Sequence, residues 1–341
     1  MPRVTGVDPG TLTIDVCGLE DGNLCLDRTI PTAEALADPE GFVALIRGDR
    51  PPDLVAGPSG YGLPLVPAAS ATDEELRLAF LAPPGEEGGI GGLRRLARVL
   101  GSSGLPVVYT PGVIHLDTVP TYRKFNRVDL GTADKVALAA LAIADQCRRL
   151  GCPPEEAGFL LLELGGAFTA ALAVRDGCVV DGLGGSSGAM GWRSSGGWDG
   201  EVAYLAGTVT KDHLFRGGAA FLPGLGVEAL VESALKAVRA LLVAAPEPRE
   251  ILLSGRSLGE PGVEPALQAG LAPLAPVRRL EGFARVAKTA AQGAAILADG
   301  LAGGHWATLV ETMRIRAARG SVLDHLVVIS PAVARRRLGL G

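Results

Sequence analysis

The chain has 341 residues, of which aromatics make up only 4% and cysteines number five. Cys17, Cys25, Cys147, Cys152 and Cys178 are irregularly spaced and form no Cys-x-x-Cys pair. Neither a disulfide framework nor a zinc site is indicated, and thiols in a reducing cytosol are expected. There is no Walker lysine motif and no His-Glu-x-x-His, which removes P-loop and zincin chemistry. The longest helical apolar run, 136–144, falls well short of the roughly 18 residues that a membrane span needs. The chain enters a strand almost at once, without the cationic and apolar regions of a secretory signal, so a soluble cytoplasmic protein is expected. Positive charge is not in surplus either. A net charge of −5 lacks the footprint of a nucleic-acid binder, and Arg335-Arg336-Arg337 reads as a solvated tail.

What is present is apolar and rich in glycine: 48% hydrophobic residues and 48 glycines, enough for real cores and for ligand turns. The opening stretch, Val4-Thr5-Gly6-Val7-Asp8-Pro9-Gly10-Thr11-Leu12-Thr13, is an apolar strand ending in a carboxylate and a Pro-Gly turn, with a second apolar run from Ile14 to Cys17. It predicts a hairpin that presents Asp8 at its tip. The turn offers backbone N–H groups and the Thr11 and Thr13 hydroxyls to an anion, and Asp8 can hold a magnesium ion, directly or through water. A related device follows at Phe159 to Thr169, where an apolar strand ends in Glu163, with Gly165, Gly166 and Thr169 beyond it. A matched pair of such hairpins predicts two similar domains, with a nucleotide's phosphates between the turns.

The rest of the chain reads as α/β. Strands are expected at 25–30, 54–57, 106–110, 159–163, 170–174 and 178–180, and a further one at 113–116 is open. Helices are expected at 40–47, 93–100, 132–150, 226–243, 284–301 and 306–318, with a last β-type run at 323–329. Residues 83–92 read as a Gly-rich, acidic surface turn that follows no strand and so makes a poor phosphate loop. The clearest helix is 132–150, with Thr132 able to cap it and Asp134 in its first turn. Gly151 and Pro153-Pro154 stop it, and the domain boundary is placed there: 1–151, then 152–341.

These residues resemble the superfamily of acetate and sugar kinases, Hsp70 and actin. Two further stretches carry the likeness. Glu250 to Arg256 looks like the strand and turn beneath adenosine, which implies Ser254, Gly255 and Arg256 at the nucleotide. Lys288-Thr289-Ala290-Ala291-Gln292-Gly293-Ala294-Ala295 looks like a small-residue helix linking the domains. One branch, a family of unknown function labelled predicted butyrate kinase, resembles the chain over nearly its full length. That likeness rests on Pro111 to Leu116, Arg123 to Arg127, Gly131 to Lys135 and Gly184 to Gly191. The resemblance implies two ribonuclease-H-like domains of the actin-like ATPase fold flanking a nucleotide cleft. It implies an ATP- and Mg2+-dependent kinase of a short carboxylate, butyrate-like, making an acyl phosphate or running in reverse. Three departures stand out. Glu163 replaces an Asp common in the superfamily, Arg256 follows Gly255 where a second Gly is common, and the Asn-x-Gly-Ser signature of ordinary acetate kinases is absent. Arg256 would either stack on the base or obstruct it.

A carboxylate acceptor is already an anion, so it needs cationic clamping rather than a base, and the planar fork of arginine suits it. Arg123, Lys124, Arg127 and Arg193 are the candidates. Arg193 lies in the Gly-rich loop 182–200, where Trp192 or Trp198 would form an apolar wall. Asp134 either complements its helix terminus or polarises a water or the metal, and Lys135 stands beside it. His213 could donate to a developing phosphoryl charge, whereas His115 reads as a satisfied core histidine. The partner is then a small molecule, with no nucleic acid or membrane and with a homodimer left open. Two alternatives remain at this point: a hydroxyl kinase of the same fold, using a base such as Asp134, and a nucleotide-operated ATPase switch acting on a protein.

Overall fold

The computed structural model describes residues 2–82 and 90–340. The chain divides into two compact units: 1–128, 132–155 and 281–341 form the first, 129–131 and 156–280 the second.

In the first unit, β1 (Arg3–Pro9), β2 (Thr13–Glu20) and β3 (Asn23–Pro31) form an antiparallel meander. β4 (Leu54–Gly57) pairs in parallel with β1, β5 (Val66–Pro67) lies at the edge, and β6 (Val107–Tyr109) pairs in parallel with β4. The order is β3-β2-β1-β4-β6-β5. In the second unit, β7 (Phe159–Leu164), β8 (Thr169–Arg175) and β9 (Cys178–Leu183) form another meander, and β10 (Ile251–Ser254) and β11 (Val277–Arg279) extend it in parallel from β7. Its order is β11-β10-β7-β8-β9. Each unit is thus a meander whose first strand continues into parallel strands, the α/β arrangement expected twice over.

Both sheets place an apolar central strand under helices. β1 and β7 are buried along nearly their whole length, as strands covered on both faces must be. One face of the first sheet carries Ile14, Val16, Val55, Val107 and Tyr109 against helices Pro39–Arg47 and Ile90–Ser102. The other is covered by helix Thr289–Leu301, whose small residues allow an unusually close approach. A Cβ at Gly6 would come within 2.1 Å of Ala295 N, and one at Gly293 within 1.8 Å of Ala137 O on helix Ala133–Leu150. In the second unit, Leu230, Ala234, Val238 and Leu241 of helix Gly226–Leu241 pack on Leu160, Leu162, Ala171 and Leu253.

Several expectations are corrected. The sequence boundary puts 281–341 in the second domain, but the segment belongs to the first unit, because its small-residue helix packs on β1 and on helix Ala133–Leu150. Residues 113–116 form a 3-10 turn at Val113–His115 rather than a strand. The run 323–329 forms no strand: Val327 and Val328 are held by Asn126, whose Oδ1 accepts both backbone N–H groups. The helix expected at 306–318 is Ala307–Thr312 followed by a separate turn at Ile315–Ala317, broken at Arg314 with φ of 57°. Helix 284–301 begins only at Thr289. The Arg335–Arg337 tail lies in helix Pro331–Arg337, where Arg335 pairs with Glu74 at 2.7 Å. Of the turn read at 83–92, residues 83–89 lie outside the described residues, and 90–92 open helix Ile90–Ser102. No described helix is long and apolar enough to cross a membrane.

Candidate functional site

The β1–β2 hairpin places Asp8 as the penultimate residue of β1, directly across from Asp15 on β2. Residues paired this way share a face, and like charges so placed repel. Asp8 is 8% exposed and Asp15 1%. Burial, then the nearby Asp134 carboxylate, push Asp8 from its ordinary value of 3.8 up to about 7, against the pull of Lys288 and Lys135. Burial also opposes the charge on Asp134, but the Lys135 ammonium and the Thr132 hydroxyl outweigh it and hold that carboxyl low. Thr132 therefore donates to Asp134 and does not cap its helix with its side chain.

Two residues beyond the sequence reading complete this cluster. Asp15 accepts Lys288 Nζ at 2.6 Å, Lys288 N at 3.2 Å and Thr13 Oγ1 at 3.0 Å. Lys288 Nζ also donates to Thr13 Oγ1 at 2.6 Å. The Thr13 hydroxyl, expected to face an anion, is thus committed to Asp15. Thr11 stands exposed at the tip of the turn. Gly10 is tightly enclosed, its carbonyl accepting Thr32 Oγ1 at 2.8 Å. A Cβ at Gly10 would meet Thr13 O at 2.5 Å and Lys288 Nζ at 3.0 Å.

The β7–β8 turn of the second unit is built similarly. Glu163 is the penultimate residue of β7, and its carboxylate lies against Gly165, whose Cβ position is 3.2 Å from Glu163 Oε1. Gly165 N donates to Phe168 O at 2.8 Å to close the turn. Beside it, β10 ends at Ser254, which pairs with Glu163, and the chain turns at Gly255 with φ of 105°. There a Cβ would come within 2.3 Å of Leu164 O, so only glycine fits. Ser257 Oγ donates to Gly165 O at 2.6 Å, fixing one turn against the other. The exposed Arg256 runs past Gly166, its Cδ 3.8 Å from that residue's Cβ position. Thr169 is 1% exposed, and its hydroxyl has no hydrogen-bond partner. Glu163, Gly165, Gly166, Thr169, Ser254, Gly255 and Arg256 are therefore brought together.

Arg193 joins the same turn through its backbone. Its N–H and that of Ser194 both donate to Ala167 O, at 3.1 and 3.0 Å, leaving the guanidinium exposed. His213 has its Nδ1 engaged by the backbone N–H of Thr210 at 3.0 Å, and its ring meets Trp198 edge-on with centroids 6.1 Å apart. Trp192 lines a separate cavity of about 450 Å³ with Leu222, Val227, Glu228 and Pro261. Arg123 and Arg127 belong to the first unit, so the clamp read from the sequence is divided between the units. The Arg123 guanidinium lies 5.6 Å from the Tyr122 ring centroid. Lys124 is turned inward, 7% exposed, and donates to Leu116 O at 2.6 Å, so it is a structural cation. His115 is buried but not satisfied: its Nδ1 has no partner, and burial pushes its pKa down to about 4.

Asp129 also escaped the sequence reading. It accepts Ser186 N and Ser186 Oγ, both at 2.9 Å, and Gly131 N at 3.1 Å, winding the Gly184 to Gly188 loop around one buried carboxylate.

The residues present fit a magnesium nucleotide. Among the described residues, no cluster of three or more His, Cys, Asp or Glu side chains could hold a metal alone. Magnesium commonly keeps its waters and binds through one or two carboxylates and substrate phosphates. Burial is the main cause of the raised proton affinity of Asp8, but the Asp134 and Asp15 carboxylates that add to it would also attract a divalent cation, and Asp8 is the group that would hold it in the first unit. In the second, Glu163 would hold it, and the glycine turn with the unpartnered Thr169 hydroxyl suits phosphate oxygens.

Comparison with known proteins agrees with this fold. A family model described as "Protein of unknown function (DUF1464)" matches residues 6–328. No curated protein matches the sequence. Among solved structures, acetate kinase from Entamoeba histolytica is 10% identical with a TM-score of 0.57, covering 80% of this chain and 87% of its own. A propionate kinase from Francisella tularensis subsp. tularensis SCHU S4 is 14% identical with a TM-score of 0.56, covering 86% of this chain and 99% of its own. Acetate kinase from Porphyromonas gingivalis is 15% identical with a TM-score of 0.55, covering 80% and 88%. At these identities the likeness is one of fold: the two-domain α/β architecture of the acetate kinase and actin-like ATPase group.

Proposed function

The chain belongs to the DUF1464 family, and from that premise we propose that it is an ATP- and magnesium-dependent phosphotransferase acting on a short, butyrate-like carboxylate, forming an acyl phosphate or consuming one. The observation that carries this reading is positional. Asp8 and Glu163 are each penultimate on the first strand of a meander, at the same place in two sheets that share the order of five strands (β3-β2-β1-β4-β6 and β9-β8-β7-β10-β11), and each leads into a glycine turn. Binding an anion beside a carboxylate requires a cation between them, which is the arrangement phosphoryl transfer uses. That acetate and propionate kinases share the fold supports the carboxylate class.

When bound, ATP supplies the phosphoryl group and magnesium neutralises its oxygens. Asp8 is the carboxylate that would hold the ion or its water shell in the first unit, and Glu163 is the corresponding group in the second. Asp134, kept ionised by Lys135, adds negative field at Asp8. Gly165 and Gly166 allow close approach of phosphate, and Thr169 offers it a buried hydroxyl. Arg256 supplies positive charge beside that turn. Arg193 orients the acceptor carboxylate, whose ionised oxygen is itself the nucleophile, so no general base is needed. His213, in the 3-10 turn Lys211–Phe215 of the same unit, adds a donor. The acceptor is a small molecule, and the reading places the protein in the cytoplasm.

Hydroxylamine trapping of acyl phosphate, with Mg-ATP and straight-chain carboxylates of graded length, tests this reading. Hydroxamate that depends on chain length and disappears in Asp8→Asn supports it. ATP binding without hydroxamate from any acid would exclude the carboxylate acceptor and move the assignment to a hydroxyl.

A further inference from the structure

We propose that Lys288 is the phosphate-contacting cation of the first unit, the side chain that meets the nucleotide's phosphates at the Asp8 turn. The inference rests on the kinase reading above and adds to it a residue that lies far from the turn in sequence. The Lys288 ammonium sits over the hairpin, 3.0 Å from the Cβ position of Gly10. Two of its hydrogen bonds are short, to Asp15 Oδ2 and Thr13 Oγ1, both 2.6 Å. The third, to Thr13 O, is 3.3 Å, beyond the usual range, and is the one a phosphate oxygen would replace.

Burial separates the pair into an anchor and a working group. Asp15 is 1% exposed by its side chain and Lys288 47%. A buried carboxylate thus holds an ammonium that stays open to solvent on its remaining side. The backbone preceding it is fixed as well. Asp27 accepts the N–H groups of Arg285, Val286 and Ala287, at 2.9, 3.0 and 2.6 Å, and Asp15 Oδ1 accepts that of Lys288. The cation is therefore held in place before any ligand arrives, which is what makes a charged contact effective in transfer chemistry. It also answers an electrostatic need. Asp8, Asp15 and Asp134 cluster here, and a polyphosphate brought beside them meets repulsion that Lys135, bonded to Asp134, only partly offsets.

The simpler role, neutralising Asp15 and nothing more, predicts different behaviour. Lys288→Ala leaves Asp15 buried without its cation, and the double variant Asp15→Asn/Lys288→Ala removes that stranded charge. ATP and adenosine binding would be measured by calorimetry on wild type, Lys288→Ala, Lys288→Arg and the double variant, with turnover of ATP measured in parallel. We expect Lys288→Ala to lower kcat/KM for ATP about 100-fold and to weaken ATP but not adenosine binding. Lys288→Arg should keep most of the affinity, propylammonium should restore part of the turnover of Lys288→Ala, and the double variant should stay defective. Recovery of ATP affinity in the double variant, or full affinity in Lys288→Ala, would overturn the assignment while leaving the kinase reading intact. A wild-type protein that binds adenosine and ATP equally would also overturn it. Wild type that binds neither nucleotide nor nucleoside would overturn both.

Discussion

Asp8 and Asp15 face each other across the β1–β2 hairpin, two buried carboxylates at one register position, and only Asp15 is paired with a cation. The corresponding pair in the second unit is Glu163 opposite Ala170. The hairpin of the first unit therefore stores a repulsion that its counterpart lacks.

Asp8→Asn should abolish phosphoryl transfer yet stabilise the ligand-free protein above neutral pH. With Asp8 raised from 3.8 to about 7, the folded chain binds a proton that the unfolded chain releases between those values. Its contribution to stability therefore declines as pH rises from about 4 to about 7 and stays lower above that. Urea unfolding at pH 5 and pH 8 checks this. Asp8→Asn should gain on the order of 2 kcal/mol at pH 8 and little at pH 5, and an equal change at both would sink the idea.

Thr169→Val should be neutral or stabilising by about 1 kcal/mol without ligand, since it removes a buried hydroxyl that has no partner. The same substitution should weaken ATP binding several-fold. Unchanged affinity would take Thr169 out of the nucleotide site.

Arg193→Ala should raise KM for the acceptor with little change in ATP affinity, and Arg256→Ala should do the reverse. Initial-rate kinetics with both substrates varied separates them. Weakened ATP binding alone in Arg193→Ala would remove that residue from the acceptor clamp.

Gly293→Ala should destabilise the first unit by about 1–3 kcal/mol, because its Cβ would press on Ala137 O. Gly259→Ala is the control, with nothing within 4 Å of its Cβ position. Equal unfolding midpoints for the two variants would contradict the close helix contact.

The parts of the candidate site legible in the sequence are local ones. A strand, a carboxylate and a glycine turn within ten residues announce themselves, so Asp8, Glu163, Gly165 and Gly166 were readable. Asp15 was not, because its significance depends on register: only pairing opposite Asp8 makes it more than a polar residue in an apolar strand. Lys288 and Asp129 depend on contacts between distant segments, which no window of sequence contains. The stretch around Lys288 carries its sequence signal in small residues, and those explain its helix packing but not its ammonium. The β-type run at 323–329 misled because Val and Ile favour strands, whereas Asn126 occupies the backbone donors that a ladder would need.

The return of residues 281–341 to the first unit has a consequence for biosynthesis. The helix that covers Gly6 on β1 leaves the ribosome only after nearly all of the second unit, a continuous stretch that is complete before it. Domains fold as units during synthesis, so of the two units the one started first is finished second. Until then one face of its central strand is uncovered, and a nascent chain stalled before residue 289 presents that face to chaperones.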